Sequence, residues 1–181
     1  MKIAVVTSNP HKAAEVAAFF GSAVAVEHIR MEIPEYRHPD VGEIARQKAE
    51  YAYRALDRPL IVDDTAFCIQ ALRGFPGPYA AYVLDTIGND GILKLMDGVD
   101  DRNAYFETAI ACATAEGIIV FRGRIDGVIV PPRGSGGFGY DPVFEVADGR
   151  TLAELSREEK SRTSHRARAL AQVKRWLEAQ E

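Results

Sequence analysis

Four short segments of this 181-residue chain carry residue types at spacings that could do chemistry. The first is Thr7-Ser8-Asn9 followed by Lys12. It leaves an apolar run, Ile3 to Val6, and opens a helix-forming stretch. Hydroxyl and amide side chains, free backbone N–H groups and the positive end of a helix together favour an anion. Lys12 adds a formal charge. Alone, the segment also reads as an ordinary N-cap and a surface lysine. It is not a P-loop, because the GxxxxGK[ST] pattern is absent. The second is Asp63-Asp64-Thr65, directly after Leu60-Ile61-Val62. Two adjacent carboxylates at a strand end repel unless a cation or solvent relieves them. A few hard oxygens sharing an ion with a phosphate suit Mg²⁺, although a solvated turn could carry the same residues. Glu43 and Lys48 precede them on a helix-forming stretch. Their spacing places them about 140° apart around a helix, so they would approach one site from two flanks.

The third segment is Gly134-Ser-Gly-Gly-Phe-Gly-Tyr-Asp-Pro142. Its glycines would let backbone approach a ligand closely. Phe138 and Tyr140 offer flat faces for a base, and Asp141 offers an acceptor. The bland alternative is a flexible loop whose aromatics tuck into the core. The fourth, Glu158 to Arg166, begins the main basic cluster: Lys160, Arg162, His165, Arg166 and Arg168. Charged His165 and Arg166 are both donors, suited to an oxo group or a phosphate. Such a run also describes a solvated helix face.

These segments need elements to hold them. Lys2 to Val6 suits a short buried strand, Lys12 to Phe20 a helix stopped by Gly21, and Val24 to Ile29 a second strand. Ala45, Ala49, Ala52 and Leu56 form an apolar stripe at helical spacing within Val41 to Leu56. Residues 73 to 79 read as loop; Tyr79 to Thr86 and Asp90 to Met96 read as short helices. Tyr105 to Ala115 and Ile118 to Val130 are rich in β-branched and aromatic residues and form a hairpin candidate. Ser156 and Glu159 have capping-box spacing ahead of a C-terminal helix lined by Leu170, Val173 and Leu177. The order predicts an α/β fold, antiparallel in the middle, with residues 1–181 forming a single domain.

Composition narrows the classes. Apolar residues make up 47% and the net charge is −4, which excludes global disorder. The acidic balance argues against a nucleic-acid partner. No apolar run reaches the length of a membrane span or a signal-peptide core. A cytoplasmic location is expected. Cys68 and Cys112 lack metal-ligand spacing and read as reduced and buried.

Taken together and in order, TSNxxK, GExxxxKA, DDT, GFPGPY, GGFGYDPxF and EEKxxxSHRxxAL resemble the inosine triphosphate pyrophosphatase family, from Thr7 to Leu170. GFGYDP and SHRxxAL are the most specific parts, and Phe75 to Tyr79 looks most like the archaeal and eukaryotic branch. The resemblance implies an elongated mixed sheet with flanking helices, two lobes around a central nucleotide cleft, and a homodimer. It implies Mg²⁺-dependent hydrolysis of ITP, dITP and XTP to the monophosphate and pyrophosphate. Carried over by motif, Thr7, Ser8, Asn9 and Lys12 look like triphosphate ligands, and Thr65 belongs to the same substrate wall. Glu43 and Asp64 look like metal ligands, with Asp63 supporting them and Asp64 also activating the water. Lys48 and Lys160 look like phosphate neutralisers. Phe138 would stack on the base beside Gly139, Tyr140 and Asp141, with His165 and Arg166 at the base edge.

Ser8 and Arg73 depart from glycines found in relatives. Ala80 and Ala81 replace a serine or basic residue, which removes a triphosphate contact expected from that loop. A pyrophosphatase for modified or pyrimidine nucleotides, as in Maf-like relatives, is opposed by the GFGYDP and SHR motifs. A nucleotide sensor without turnover is opposed by the set Lys12, Glu43, Asp63 and Asp64.

Overall fold

The computed structural model describes residues 2–180. Strand β1 (Lys2–Val6) leads through α1 (Pro10–Phe20) to β2 (Ala25–Ile29), and α2 (Val41–Leu56) leads to β3 (Leu60–Ile69). A short β4 (Pro76–Gly77) precedes helices α3 (Ala80–Thr86) and α4 (Gly88–Leu95). The hairpin β5 (Asn103–Thr114) and β6 (Gly117–Ile129) follows, then β7 (Phe144–Glu145), α5 (Arg157–Thr163) and α6 (His165–Glu178). The elements form one mixed sheet in the order β2-β1-β3-β5-β6-β7, with β4 on β3. β1 runs parallel to both β2 and β3, and the remaining pairs are antiparallel. The fold is mixed α/β, as expected.

Local chemistry explains the helix ends. Asn9 caps α1 by accepting from the backbone N–H groups of His11 and Lys12, and Gly21 ends the helix at φ 55°. Asp40 caps α2, and the Ser156–Glu159 capping box opens α5. Arg73 adopts φ 55°, in the left-handed region that favours glycine.

Alternation along β1 and β3 divides the core between the two faces. Ala4, Val6, Leu60 and Val62 pack with the alanine stripe of α2. Ile3, Val5 and Ile61 pack with Val16 and Phe20 of α1 and with Leu170 and Val173 of α6. A third cluster, around Phe67, Phe106, Phe144 and Ile92, lies toward α3, α4 and β7. Cys68 and Cys112 are free and buried; burial pushes the Cys112 thiol up to about 12. Among the described residues, no helix is long and apolar enough to cross a membrane.

One expectation needs correcting. Asp63, Asp64 and Thr65 do not follow a strand; they lie inside β3, which pairs with β5 from Leu60–Ala113 to Ile69–Ala104. Sequence propensity places acidic residues outside strands. Here each carboxylate meets a cation from a helix, so the strand continues through them.

Helix α6 lies on β6 through a close approach at Gly123. A Cβ there would sit 2.1 Å from the carbonyl oxygen of His165 and 2.5 Å from the amide nitrogen of Ala169. Both are backbone atoms, so the helix itself would have to move. Gly123→Ala is expected to lower the unfolding free energy by about 1–3 kcal/mol. A urea titration checks this, and unchanged stability would contradict the close packing.

Candidate active site

A cleft of about 340 Å³ opens at the carboxyl end of β1. α1 joins β1 to β2 on one side, and α2 returns across β1 to β3 on the other. Such a reversal leaves a crevice beyond the strand ends, the usual ligand position in open α/β sheets. One side of the cleft, the first lobe, is built from β1, α1, α2 and β3 and contributes Thr7, Ser8, Asn9, Lys12, Lys48 and Asp64. The facing side, the second lobe, is built from α3 and the glycine-rich loop and contributes Ala80, Ala81, Leu84, Phe138, Gly139 and Tyr140. Asp63, Thr65 and Arg166 form part of its floor.

The two aspartates face opposite sides of the sheet, as neighbours in a strand must. Asp64 faces α2, where Lys48 Nζ donates to its Oδ1 at 2.9 Å. Lys48 also reaches the exposed Glu35 at 2.9 Å. Burial raises the carboxyl of Asp64 above the ordinary aspartate range, against the pull of Lys12 and Lys48. Asp63 faces α1 and α6. Lys12 Nζ lies 2.8 Å from its Oδ1, an ion pair outside hydrogen-bond geometry. Arg166 Nε donates to its Oδ2 at 2.5 Å. Burial opposes ionisation of Asp63, yet Arg166 and Lys12 outweigh it and hold its carboxyl far below the usual range. The expected carboxylate pair sharing one cation is therefore not formed: the side chains diverge, and Asp63 is neutralised by protein.

Behind Asp63 lies a buried charge network. Arg166 is 1% exposed and also donates to Glu15 and to Thr65 Oγ1, the latter at 3.1 Å. Thr65 in turn bonds Thr108 across the strands at 2.8 Å. Lys160 is buried between Glu15 Oε1 at 2.5 Å and Asp141 Oδ2 at 2.6 Å. Asp141 Oδ2 also accepts from the backbone N–H of Phe138 at 2.9 Å. At Gly137, φ is +67° and a Cβ would lie 2.1 Å from Asp141 Oδ2, so glycine is required for this closure.

The expected site residues therefore separate into groups. The Thr7-Ser8-Asn9 and Lys12 segment, Lys48 and Asp64 converge on the cleft, and Asn9 spends its side-chain carbonyl oxygen on its own helix. Glu43 is absent from the cleft lining; it sits half-exposed in the first turn of α2, 3.7 Å from Arg46. Lys160 and Asp141 are paired with each other rather than presented to the cleft. Tyr140 is buried, packs on Phe67 at 4.4 Å and donates to the carbonyl of Ala80 at 2.5 Å. It braces the loop, leaving Phe138 as the flat face in the cleft.

His165 is also absent from the lining. Its ring stacks on Phe106 at 4.7 Å, and its Nδ1 has no partner. Burial, reinforced by Arg166 and Lys160, lowers its pKa well below the usual value. It is neutral rather than the charged donor expected.

The sequence reading missed several residues. Met31, Ile33 and Glu35 line the cleft from an irregular segment, and their period of two was visible. Glu15, three residues beyond Lys12 in α1, was not singled out. Asp85 enters from α3.

Among the described residues, no three His, Cys, Asp or Glu side chains cluster to hold a metal. The donors at the cleft are mainly oxygens: the hydroxyls of Thr7 and Ser8 and the carboxylates of Asp64, Glu35 and Asp85, of which Asp64 lies in β3 beside the Thr7–Lys12 segment. That set fits an ion held by one carboxylate and completed by phosphate and water, the habit of Mg²⁺.

Comparison with known proteins shows the family. The model described as Ham1 family matches residues 3–176. A dITP/XTP pyrophosphatase of Thermococcus kodakarensis is 44% identical, over 98% of this chain and 97% of that protein. An inosine triphosphate pyrophosphatase of Aspergillus fumigatus is 42% identical, over 98% and 95%. A Coxiella burnetii HAM1 protein of known structure superposes with a TM-score of 0.84 at 30% identity, covering 98% of this chain and 99% of that one. Matched along nearly its whole length in sequence and in fold, the chain belongs to the Ham1 family.

Proposed function

We propose that the chain hydrolyses ITP, dITP and XTP to the monophosphate and pyrophosphate, clearing these nucleotides from the pool. The observation that carries this reading is the convergence of Lys12, Lys48 and Asp64 on one cleft that Phe138 enters from the opposite lobe. Two cations suit a polyphosphate, one carboxylate suits a water or a metal, and an aromatic face suits a base.

In this reading the triphosphate lies against Thr7, Ser8 and Asn9, with Lys12 and Lys48 neutralising its oxygens. Asp64 is positioned to accept a proton from water attacking the α-phosphorus. Its place in the cleft, with Lys48 Nζ on Oδ1, leaves Oδ2 to face that water. Mg²⁺ bound by Asp64, with the substrate's phosphate oxygens, would supply charge neutralisation for the leaving pyrophosphate. Glu43 joins that set by family resemblance. The base packs on Phe138. By family resemblance its edge would turn toward Lys160 and Arg166, whose cationic donors would favour an O6 acceptor over the amino group of adenine once they are released from their present partners.

A homodimer and a cytoplasmic location belong to the same proposal. Exposed Phe75, Tyr79, Tyr82 and Ile87, around β4 and α3, support a covered surface there.

With Mg²⁺ and a panel of dITP, XTP, dGTP, dATP and dTTP, pyrophosphate is expected from dITP and XTP well ahead of the others. No release from dITP or XTP would defeat the reading. Asp64→Asn is expected to lower kcat by about 10²–10⁴, the usual contribution of a positioned base, while nucleotide binding stays detectable by calorimetry. Turnover near wild type would remove Asp64 from the chemistry.

A further inference from the structure

One contact joins the two lobes at the mouth of the cleft and has no part in the mechanism above. His11, an exposed residue in the first turn of α1, stacks on Phe138 with ring centroids 5.0 Å apart and planes 14° from parallel. Phe138 belongs to the glycine-rich loop of the other lobe, and Lys160 Nζ lies 4.7 Å from its ring centroid. The loop is thus held from α1 by His11 and from α5 by Lys160.

At 5.0 Å the two rings leave no room for a base between them, since two stacked layers need about 7 Å at the contact distances of carbon atoms. The polar groups suited to a base edge lie deeper. Lys160 is 5% exposed, Asp141 4% and Arg166 1%. A base reaching them must move the Phe138 ring or its partner. The parts are free to do so. His11 projects from a helix whose backbone is already fixed by Asn9, so its ring can rotate without disturbing the triphosphate segment. Gly139, directly after Phe138, holds positive φ with only Leu84 Cδ2 near it, at 3.6 Å from where a Cβ would be, giving the ring a pivot that other residues rarely provide.

We propose that His11 is a latch: stacked on Phe138, it holds the glycine-rich loop shut over the base subsite, and nucleotide binding breaks the stack. The imidazole is a five-membered aromatic ring like that of a purine, so it shields the Phe138 face until a base takes over the stacking. A closed form stabilised by the stack lowers the binding-competent fraction and raises apparent KM without touching kcat. His11 then sets the threshold for purine entry. This inference rests on the reading of Phe138 as the base platform.

The test combines kinetics with NMR on the full chain. His11→Ala is expected to lower KM for XTP about two- to tenfold, the worth of an aromatic pair, with kcat unchanged. In wild type, the His11 ring protons are shielded by Phe138, and their signals are assigned by comparison with His11→Gln. Inosine 5′-(α,β-methylene)triphosphate is expected to move them downfield as the Phe138 signals shift. If Phe138 shifts while His11 stays shielded, or if His11→Ala raises KM or leaves it unchanged, the latch is wrong and the base platform stands. If saturating nucleotide moves neither ring, the base platform fails and the latch falls with it.

Discussion

Arg166 holds a full positive charge with 1% of its surface exposed, and the rest of the site is arranged around relieving it. An unpaired guanidinium in that position would cost several kcal/mol of desolvation. Asp63 from β3, Glu15 from α1 and Thr65 from β3 each take one of its donors. The partners come from elements far apart in sequence. The charge therefore fixes where α6 lies, how α1 leans toward it, and which face of β3 turns to the helices. Lys160 and Asp141 extend the same balance to the glycine-rich loop. Asp63, Glu15 and Asp141 oppose Lys12, Lys160 and Arg166 in equal number.

This balance separates two tasks that look alike in sequence. Asp63 is consumed by structure: it docks α1 and α6 and carries a strongly lowered pKa. Asp64, one residue on, turns to the other face and keeps a raised pKa beside Lys48. Strand alternation alone turns one carboxylate toward α1 and α6 and its neighbour toward α2 and the cleft. The cleft then receives Asp64 and Lys48, and the edge of Lys12, against a frame whose buried charges are already balanced.

Much of this was legible in the sequence. The alanine stripe gave α2, Ser156 and Glu159 gave the start of α5, and the long β-rich segments gave the hairpin. Local signals sufficed there because each element is specified by its own period or cap. Where tertiary partners decide, the sequence misled. β3 continues through two aspartates because helices supply cations. The basic run at 158–168 reads as donors turned to a ligand or as a solvated face, yet Lys160, His165 and Arg166 are buried, with Lys160 and Arg166 paired inside the protein, while Arg162 is exposed. Glu15 carried no signal at all, because its importance lies in partners about 145 and 151 residues away. His11 was invisible for the same reason: its partner is in the opposite lobe.

The central claim is that Asp63 and Arg166 form the pairing on which the site's frame depends. A double-mutant cycle tests it most directly, using Asp63→Asn, Arg166→Met and the double variant in urea unfolding. Each single change should cost about 3–5 kcal/mol, because it strands a buried charge. The double should cost less than the sum by about 2–3 kcal/mol. Costs that add to within about 0.5 kcal/mol would show two independent side chains and contradict the account.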